Sequence, residues 1–566
     1  MKAKITRRQF IKTTAQAGVL LGIVGSGTWG GGCTSGMVFD LIIKNGLVVD
    51  GIGDRSYQAD VGIVGERIEA VGNLQRAQAK TVVDAAGRMV SPGFIDIHSH
   101  TDLELLINPK AESKIRQGVT TELSGNCGGS VFPRKRALPG GETRPRERSE
   151  VELDWVDLEG YHSKLAKSGI AVNHATLLGQ GTLRSYVMDQ ERREPTPEEM
   201  AQMKRLVAEA MEQGAFGLST GLEYTPSGFA TAQEVIELCQ VVAEYGGFYA
   251  THIRSEDNQL IEAVGEAIYI AEKGEIPLQI SHLKASGRRN WWKMPKVIDL
   301  IERAQQRGLL LNADRYPYTA YSTDMGFFFP QWAKDGGSER FVERLKDREL
   351  RQKMRAETIE KVIGNNSWES ILIVGVHTEK NRPLEGKYIS EAAAERKQDP
   401  YEFSCNLLIE EGGDISIVGF GMSEENADLV LKHPLVMLCS DGVALAPYGP
   451  LSRGIFHPRN YGAFPRFLRL YVREEKLLTV AEAIKKMTST PAAKMGLHER
   501  GSIKKGNFAD LVVFDPSTIS DQATYTKPEQ YPIGIDYVIV NGRMVVDHGE
   551  HTGELPGKTL HGPGKK

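Results

Sequence analysis

Few cysteines, no basic excess and no apolar run long enough for a membrane span: each shortage removes a class of protein. The five cysteines, at 33, 127, 239, 405 and 439, stand far apart with no paired spacing, which argues against a disulfide framework. Lys and Arg number 69 against 73 Asp and Glu, for a formal net charge of -4. The basic residues are spread rather than blocked, so nucleic-acid binding is not expected. The apolar run at residues 15–24 is too short to cross a bilayer, and no later stretch is long enough to do so either. What is present, 40% hydrophobic and 25% charged residues in a chain of 566, suits a globular fold with a large core and an accessory domain.

The N-terminus differs from the rest. Arg7-Arg8-Gln9-Phe10-Ile11-Lys12 precedes the apolar run and a small-residue stretch at 25–36, the pattern of a twin-arginine export signal over residues 1–36. The expected destination is the periplasm or cell envelope, with the twin-arginine machinery as a partner. Cys33 follows three glycines but lacks the preceding Leu or Val of a lipid-anchor site. Because this route carries folded proteins, a metal can be loaded onto a thiolate before an oxidising compartment is reached, which suits a metal-bound Cys127.

Short alternating runs punctuated by Gly and Asn fill residues 39–90 and return at 509–515 and 537–547. They predict antiparallel strands from both chain ends in one small β-domain, 37–92 with 495–566. Between them, strand patterns at 93–98, 119–124, 172–178, 215–220, 248–253, 278–283, 309–314 and 436–440 alternate with helical patterns at 197–213, 231–245 and 258–273. Eight such units predict an α/β fold, a (β/α)8 barrel over 93–494. Residues 318–433, with a helical pattern at 339–362, form an insertion between the seventh and eighth strands. The Pro-, Gly- and Arg-rich stretch 132–150 reads as a surface loop.

In such barrels the chemistry sits at the C-terminal ends of the strands. His98 and His100 end the first strand, Asn126-Cys127-Gly128 the second, His252 the fifth, His282 the sixth and Asp441 the eighth. In an extended segment residues i and i+2 share a face, so His98 and His100 aim at one point. Imidazoles, a thiolate and a carboxylate suit Zn²⁺, and the inventory is large enough for two ions. Tyr224, Lys284 and Arg459 lie near strand ends as well and together would grip a carboxylate, the arginine through its planar fork.

The motifs Gly93-Phe94-Ile95-Asp96-Ile97-His98-Ser99-His100, Gly125-Asn126-Cys127-Gly128, Gly217-Leu218-Ser219-Thr220-Gly221-Leu222-Glu223-Tyr224, Ser281-His282-Leu283-Lys284, Ser440-Asp441-Gly442 and His457-Pro458-Arg459 resemble those of the D-aminoacylases, the N-acyl-D-amino-acid deacylases of the amidohydrolase superfamily. The resemblance covers about residues 40–547. Where the commoner superfamily pattern has a metal-bridging lysine from the fourth strand, this chain has Ser219-Thr220, which points to the subgroup that uses a cysteine instead. The resemblance implies one tight zinc on Cys127, His252 and His282, a weaker second site on His98, His100 and Asp441, and carboxylate-binding roles for Tyr224, Lys284 and Arg459. Glu223 is a conceivable extra ligand.

The activity implied is hydrolysis of a small N-acyl-D-amino acid, with Asp441 as the group that takes a proton from water and passes it to the leaving amine. The alternatives are a cyclic amidase of the hydantoinase or dihydroorotase kind, a D-aminoacyl peptide hydrolase, and a binding protein that keeps the fold without turnover. The missing fourth-strand lysine weighs against the cyclic amidase and the intact ligand set against the binding protein.

Overall fold

Eight short parallel segments that are buried on both faces form the centre of the molecule. In the computed structural model, which describes residues 38–135, 151–452 and 454–566, these are Phe94–Asp96, Val119–Ser124, Asn173–Thr176 with Leu178–Gly179, Gly217–Gly221, Phe248–His252, Leu278–Ile280, Leu311–Arg315 and Val436–Leu438. The expected export signal, Cys33 and most of the 132–150 loop lie outside the described residues. Each strand pairs in parallel with the next, and a parallel bridge from Ser99 to Gly442 links the eighth back to the first. All residues of Val119–Ser124 and Phe248–His252 are buried, as expected when helices cover a parallel sheet.

The first strand stops at Asp96, two residues short of the expected His98. The histidines that follow are held by the eighth strand instead: Asp441 N donates to His98 O at 2.9 Å and His100 N to Gly442 O at 2.8 Å. Between strands three and four the barrel parts at its lower end, where the C-terminal tail fills the seam. His174 N donates to Lys558 O at 2.9 Å, Leu560 N to His174 O at 2.7 Å and Gly562 N to Gly214 O at 2.8 Å.

The helix Pro197–Gln213 is where periodicity puts it, opened by a capping box between Thr196 and Glu199. Ala232–Glu244 follows the N-cap Thr231, whose hydroxyl accepts from Glu234 N. The third differs from expectation: it begins at Leu260, and its N-cap is Gln259, without a side-chain bond, rather than Asn258. The pattern at 339–362 is two helices, Gly337–Lys346 and Arg348–Asn365, because the Asp347 carboxylate accepts from Glu349 N and Leu350 N and starts a new helix there. The same segment carries an antiparallel sheet, Ala320–Asp324, Ser416–Phe420 and Ile371–Gly375, which the sequence did not suggest.

Strands from both chain ends are hydrogen-bonded into one nine-stranded sheet. The junction is Met89–Pro92 against Leu511–Phe514, antiparallel, with Leu511 opposite Pro92. One face of this sheet packs its own apolar cluster, including Ile43, Val61, Ile63, Val513 and Ile539.

Candidate functional site

The strand ends meet in a cavity of about 200 Å³ lined by His100, Cys127, Tyr224, His252, Glu256, His282, Lys284, Tyr316, Tyr321, Phe327, Asp441 and Arg459, among others. Cys127, His282 and Asp441 are held with φ of 51°, 34° and 51°. That region is costly for a non-glycine residue and recurs at functional sites. Here it turns each side chain off its strand and into the cavity. The fourth strand ends in Gly221, where a Cβ would lie 2.1 Å from Cys127 O, so the cysteine loop packs directly on that backbone.

Three donors converge. Cys127 Sγ is 3.4 Å from His282 Nε2 and 3.9 Å from His252 Nδ1, and the two nitrogens are 3.0 Å apart. A zinc tetrahedron with Zn–N about 2.1 Å and Zn–S about 2.3 Å has edges of roughly 3.4–3.7 Å, so the set fits that ion with little adjustment. A second group lies beside it. His98 Nε2 is 3.4 Å and His100 Nε2 3.0 Å from Asp441 Oδ1, and the three offer donor atoms within 4.8 Å of one another. Cys127 Sγ is also 3.4 Å from His98 Nε2, which puts the sulfur between the two groups. A third geometric set, His252, Glu256 and His282, is filled by a side chain: Lys284 Nζ lies 2.5 Å from Glu256 Oε1 and 2.8 Å from His282 Nδ1.

Burial pushes the Cys127 thiol up, but the His98 and His282 rings outweigh it and hold the thiol well below its ordinary value, which favours the thiolate that ligates metals. Burial likewise raises Asp441, and Arg459 with His282 overrides it, holding the carboxyl well below the usual range. Each inner imidazole has a carboxylate near its other nitrogen: Glu223 Oε2 makes a hydrogen bond with His252 Nε2 at 3.1 Å, Glu256 Oε1 lies 2.9 Å from His282 Nδ1, which Lys284 Nζ also approaches, and Asp314 Oδ1 stands 3.3 Å from His98 Nδ1 outside hydrogen-bond geometry. This arrangement sets ring orientation and tautomer in metal sites.

Tyr224, Lys284 and Arg459 all line the cavity, and each has a protein partner. Tyr224 Oη is 3.0 Å from Thr323 Oγ1, Lys284 is paired with Glu256, and Arg459 Nη1 donates to Asp441 Oδ2 at 2.6 Å. The guanidinium thus keeps further donors for a ligand. Sequence reasoning passed over Tyr316, Asp314 and Glu256. Tyr316 is fully buried, lines the cavity, and its hydroxyl has no hydrogen-bond partner among the described residues. Asp314 and Tyr316 stand in and just after the seventh strand, so the strand-end rule applied there would have found them; nothing local marks Glu256.

A protein-family model described as "Amidohydrolase family" matches residues 81–546. The chain belongs to the amidohydrolase family. Among amidohydrolases it is 35% identical over 531 residues to the D-aminoacylase of Alcaligenes xylosoxydans xylosoxydans, covering 92% of this chain and 97% of that one. It is 36% identical to the N-acyl-D-aspartate deacylase of the same organism, covering 92% and 95%. The crystal structure of N-acyl-D-glutamate deacylase from Bordetella bronchiseptica, complexed with zinc and a phosphonate inhibitor that mimics the reaction's tetrahedral intermediate, superposes with a TM-score of 0.78 at 31% identity, covering 93% of this chain and 100% of that one. The resemblance of this amidohydrolase to the D-aminoacylases therefore extends through nearly the whole chain.

Proposed function

We propose that this amidohydrolase cleaves the amide bond of N-acyl-D-amino acids, giving a carboxylate and a free D-amino acid, with zinc held by Cys127, His252 and His282. The observation that carries the reading is the convergence of those three donor atoms within 3.9 Å of one another, beside a buried ionised Asp441. Zinc supplies Lewis-acid polarisation of the acyl carbonyl and readies water for attack near neutral pH. Asp441 accepts the proton of the attacking water through Oδ1, the oxygen not engaged by Arg459, and returns it to the leaving nitrogen. His98 and His100 hold that carboxylate from the other side and supply, with it, a second and weaker metal position.

The amino-acid end is gripped by cations and a hydroxyl on one wall. Arg459 offers its remaining guanidinium donors, Tyr224 lines the same cavity, the buried Tyr316 hydroxyl is without a hydrogen-bond partner among the described residues, and Lys284 stands 5.9 Å from the Tyr316 ring centre. With the carboxylate and the acyl carbonyl both fixed, the α-substituent of one enantiomer enters the cavity and that of the other meets its wall. The D preference is supported by the names of the three relatives.

The reading is tested by zinc analysis together with hydrolysis of N-acyl-D-amino acids, N-acyl-L-amino acids and hydantoins. Bound zinc and turnover of the D set by a wide margin are expected; hydantoin cleavage without linear-amide cleavage would overturn it. We further infer a division into an export signal (1–36), a β-domain from both ends (37–92 with 495–566) and the barrel (93–494) with its insertion (318–433). The separate apolar cluster of the nine-stranded sheet supports the β-domain. Export to the periplasm or envelope by the twin-arginine route is supported by Arg7-Arg8 ahead of the apolar run; replacing both arginines by lysine should retain the protein in the cytoplasmic fraction.

A further inference from the structure

The insertion helix Arg348–Asn365 reaches the carboxylate behind His252 through Lys361. Lys361 Nζ pairs with Glu223 Oε1 and lies 2.8 Å from Asp257 Oδ2, carboxylates that are 6% and 4% exposed and follow the fourth and fifth strands. The other oxygen of Glu223 meets His252 Nε2, which leaves His252 Nδ1 facing Cys127 and His282. A contiguous chain of contacts thus runs from the insertion to a metal-facing nitrogen. The other two backed histidines are supported from within the barrel: Asp314, behind His98, accepts from Gln279 Nε2 and His282 N, and Glu256, behind His282, takes Lys284. Only the carboxylate behind His252 takes its cation from outside the barrel, among the described residues.

We propose that Lys361 is a positioning residue for zinc: by fixing the Glu223 carboxylate it fixes the ring and tautomer of His252, so that seating of the insertion helix and retention of the metal are coupled. This rests on the reading of Cys127, His252 and His282 as zinc ligands. A purely structural lysine would neutralise two buried carboxylates and no more. Coupling adds a reciprocal effect, since whatever the helix contributes to zinc affinity, zinc returns to the docking of the helix.

Zinc affinity, measured by competition with a chromogenic chelator, separates the two. Lys361→Met and Glu223→Gln should each weaken zinc by about 10–100-fold, the range seen when the partner behind a ligating histidine is lost. The double variant should be no weaker than Glu223→Gln alone, because both act on one path. Lys361→Arg should recover most of the affinity, and Asp257→Asn, which removes the lysine's other partner but spares Glu223, should stay near the parent. In the parent, zinc should slow amide exchange in Arg348–Asn365; in Lys361→Met it should not. Additive losses, or parental affinity in Lys361→Met with only a lower Tm, overturn the inference. Should Lys361→Met not fold, Glu223→Gln with parental affinity overturns it equally. A parent that holds no zinc fails the zinc reading and this inference together, whereas a zinc-tight parent with unaffected variants fails this inference alone.

Discussion

Cys127 does two things at once, presenting a sulfur between two groups of imidazoles and turning the chain at φ 51° so that the sulfur faces inward. Cys127→Ala removes one of three convergent donors, and purified protein is expected to lose its tight zinc; metal analysis showing parental occupancy would remove the thiolate from the site. Asp441 adopts the same backbone region, which asparagine tolerates well, so Asp441→Asn tests chemistry rather than backbone. Zinc content should stay parental, while kcat on N-acetyl-D-methionine should fall by at least about 10²-fold, the usual share of general acid–base catalysis. Undiminished kcat would end the proton-transfer role. At this scale His98, His100, Cys127, His252, His282 and Asp441 were legible, because each is a residue type with metal or proton chemistry at a strand end. Glu223 was legible only as a conceivable ligand, and the structure sets it behind His252 instead. Glu256 and Lys361 were not legible: they are two of 142 charged Asp, Glu, Lys and Arg residues, the 69 basic and 73 acidic together, and only their neighbours in space distinguish them.

The barrel strands are short and buried on both faces, and the elements around them are set by caps more than by pattern. Asp347 shows this best. The amphipathic pattern runs from 339 to 362 without interruption, yet its carboxylate bonds two backbone N–H groups and divides the run in two. Asp347→Ala should cost about 1 kcal/mol, the usual value of an N-cap. The loss should appear as faster amide exchange in Arg348–Asn365, with barrel-strand protection unchanged; equal exchange in parent and variant would show that tertiary contacts alone hold the break. An aspartate followed by a glutamate two residues on was an available N-cap signal. The small antiparallel sheet of the insertion had no comparable signal, since its three strands lie up to about a hundred residues apart in sequence.

Charges inside the barrel tie stability to pH. Glu122, fully buried in the second strand, is pushed up from 4.5 to about 7 by burial, against the pull of Lys114. Between about pH 4.5 and 7 the folded chain therefore keeps a proton that the unfolded chain releases, and this group's contribution to stability falls as pH rises through that window. The shift corresponds to roughly 3 kcal/mol. Glu122→Gln should become steadily more stable than the parent as pH rises from 4.5 to 7.5, seen as a widening gap between urea midpoints; parallel pH profiles would show that Glu122 ionises freely in the fold. The sequence by itself determined the eight βα units, the strands at both ends and the residue types at the strand ends, because burial on both faces and hydrogen-bond periodicity are written locally. Which nitrogen of each histidine faces inward, which carboxylate stands behind it, that Arg459 holds Asp441 and that a lysine of the insertion reaches the fourth strand were decided only by the tertiary structure. Those contacts join residues up to several hundred positions apart, and their selection depends on distance and burial once the barrel has closed.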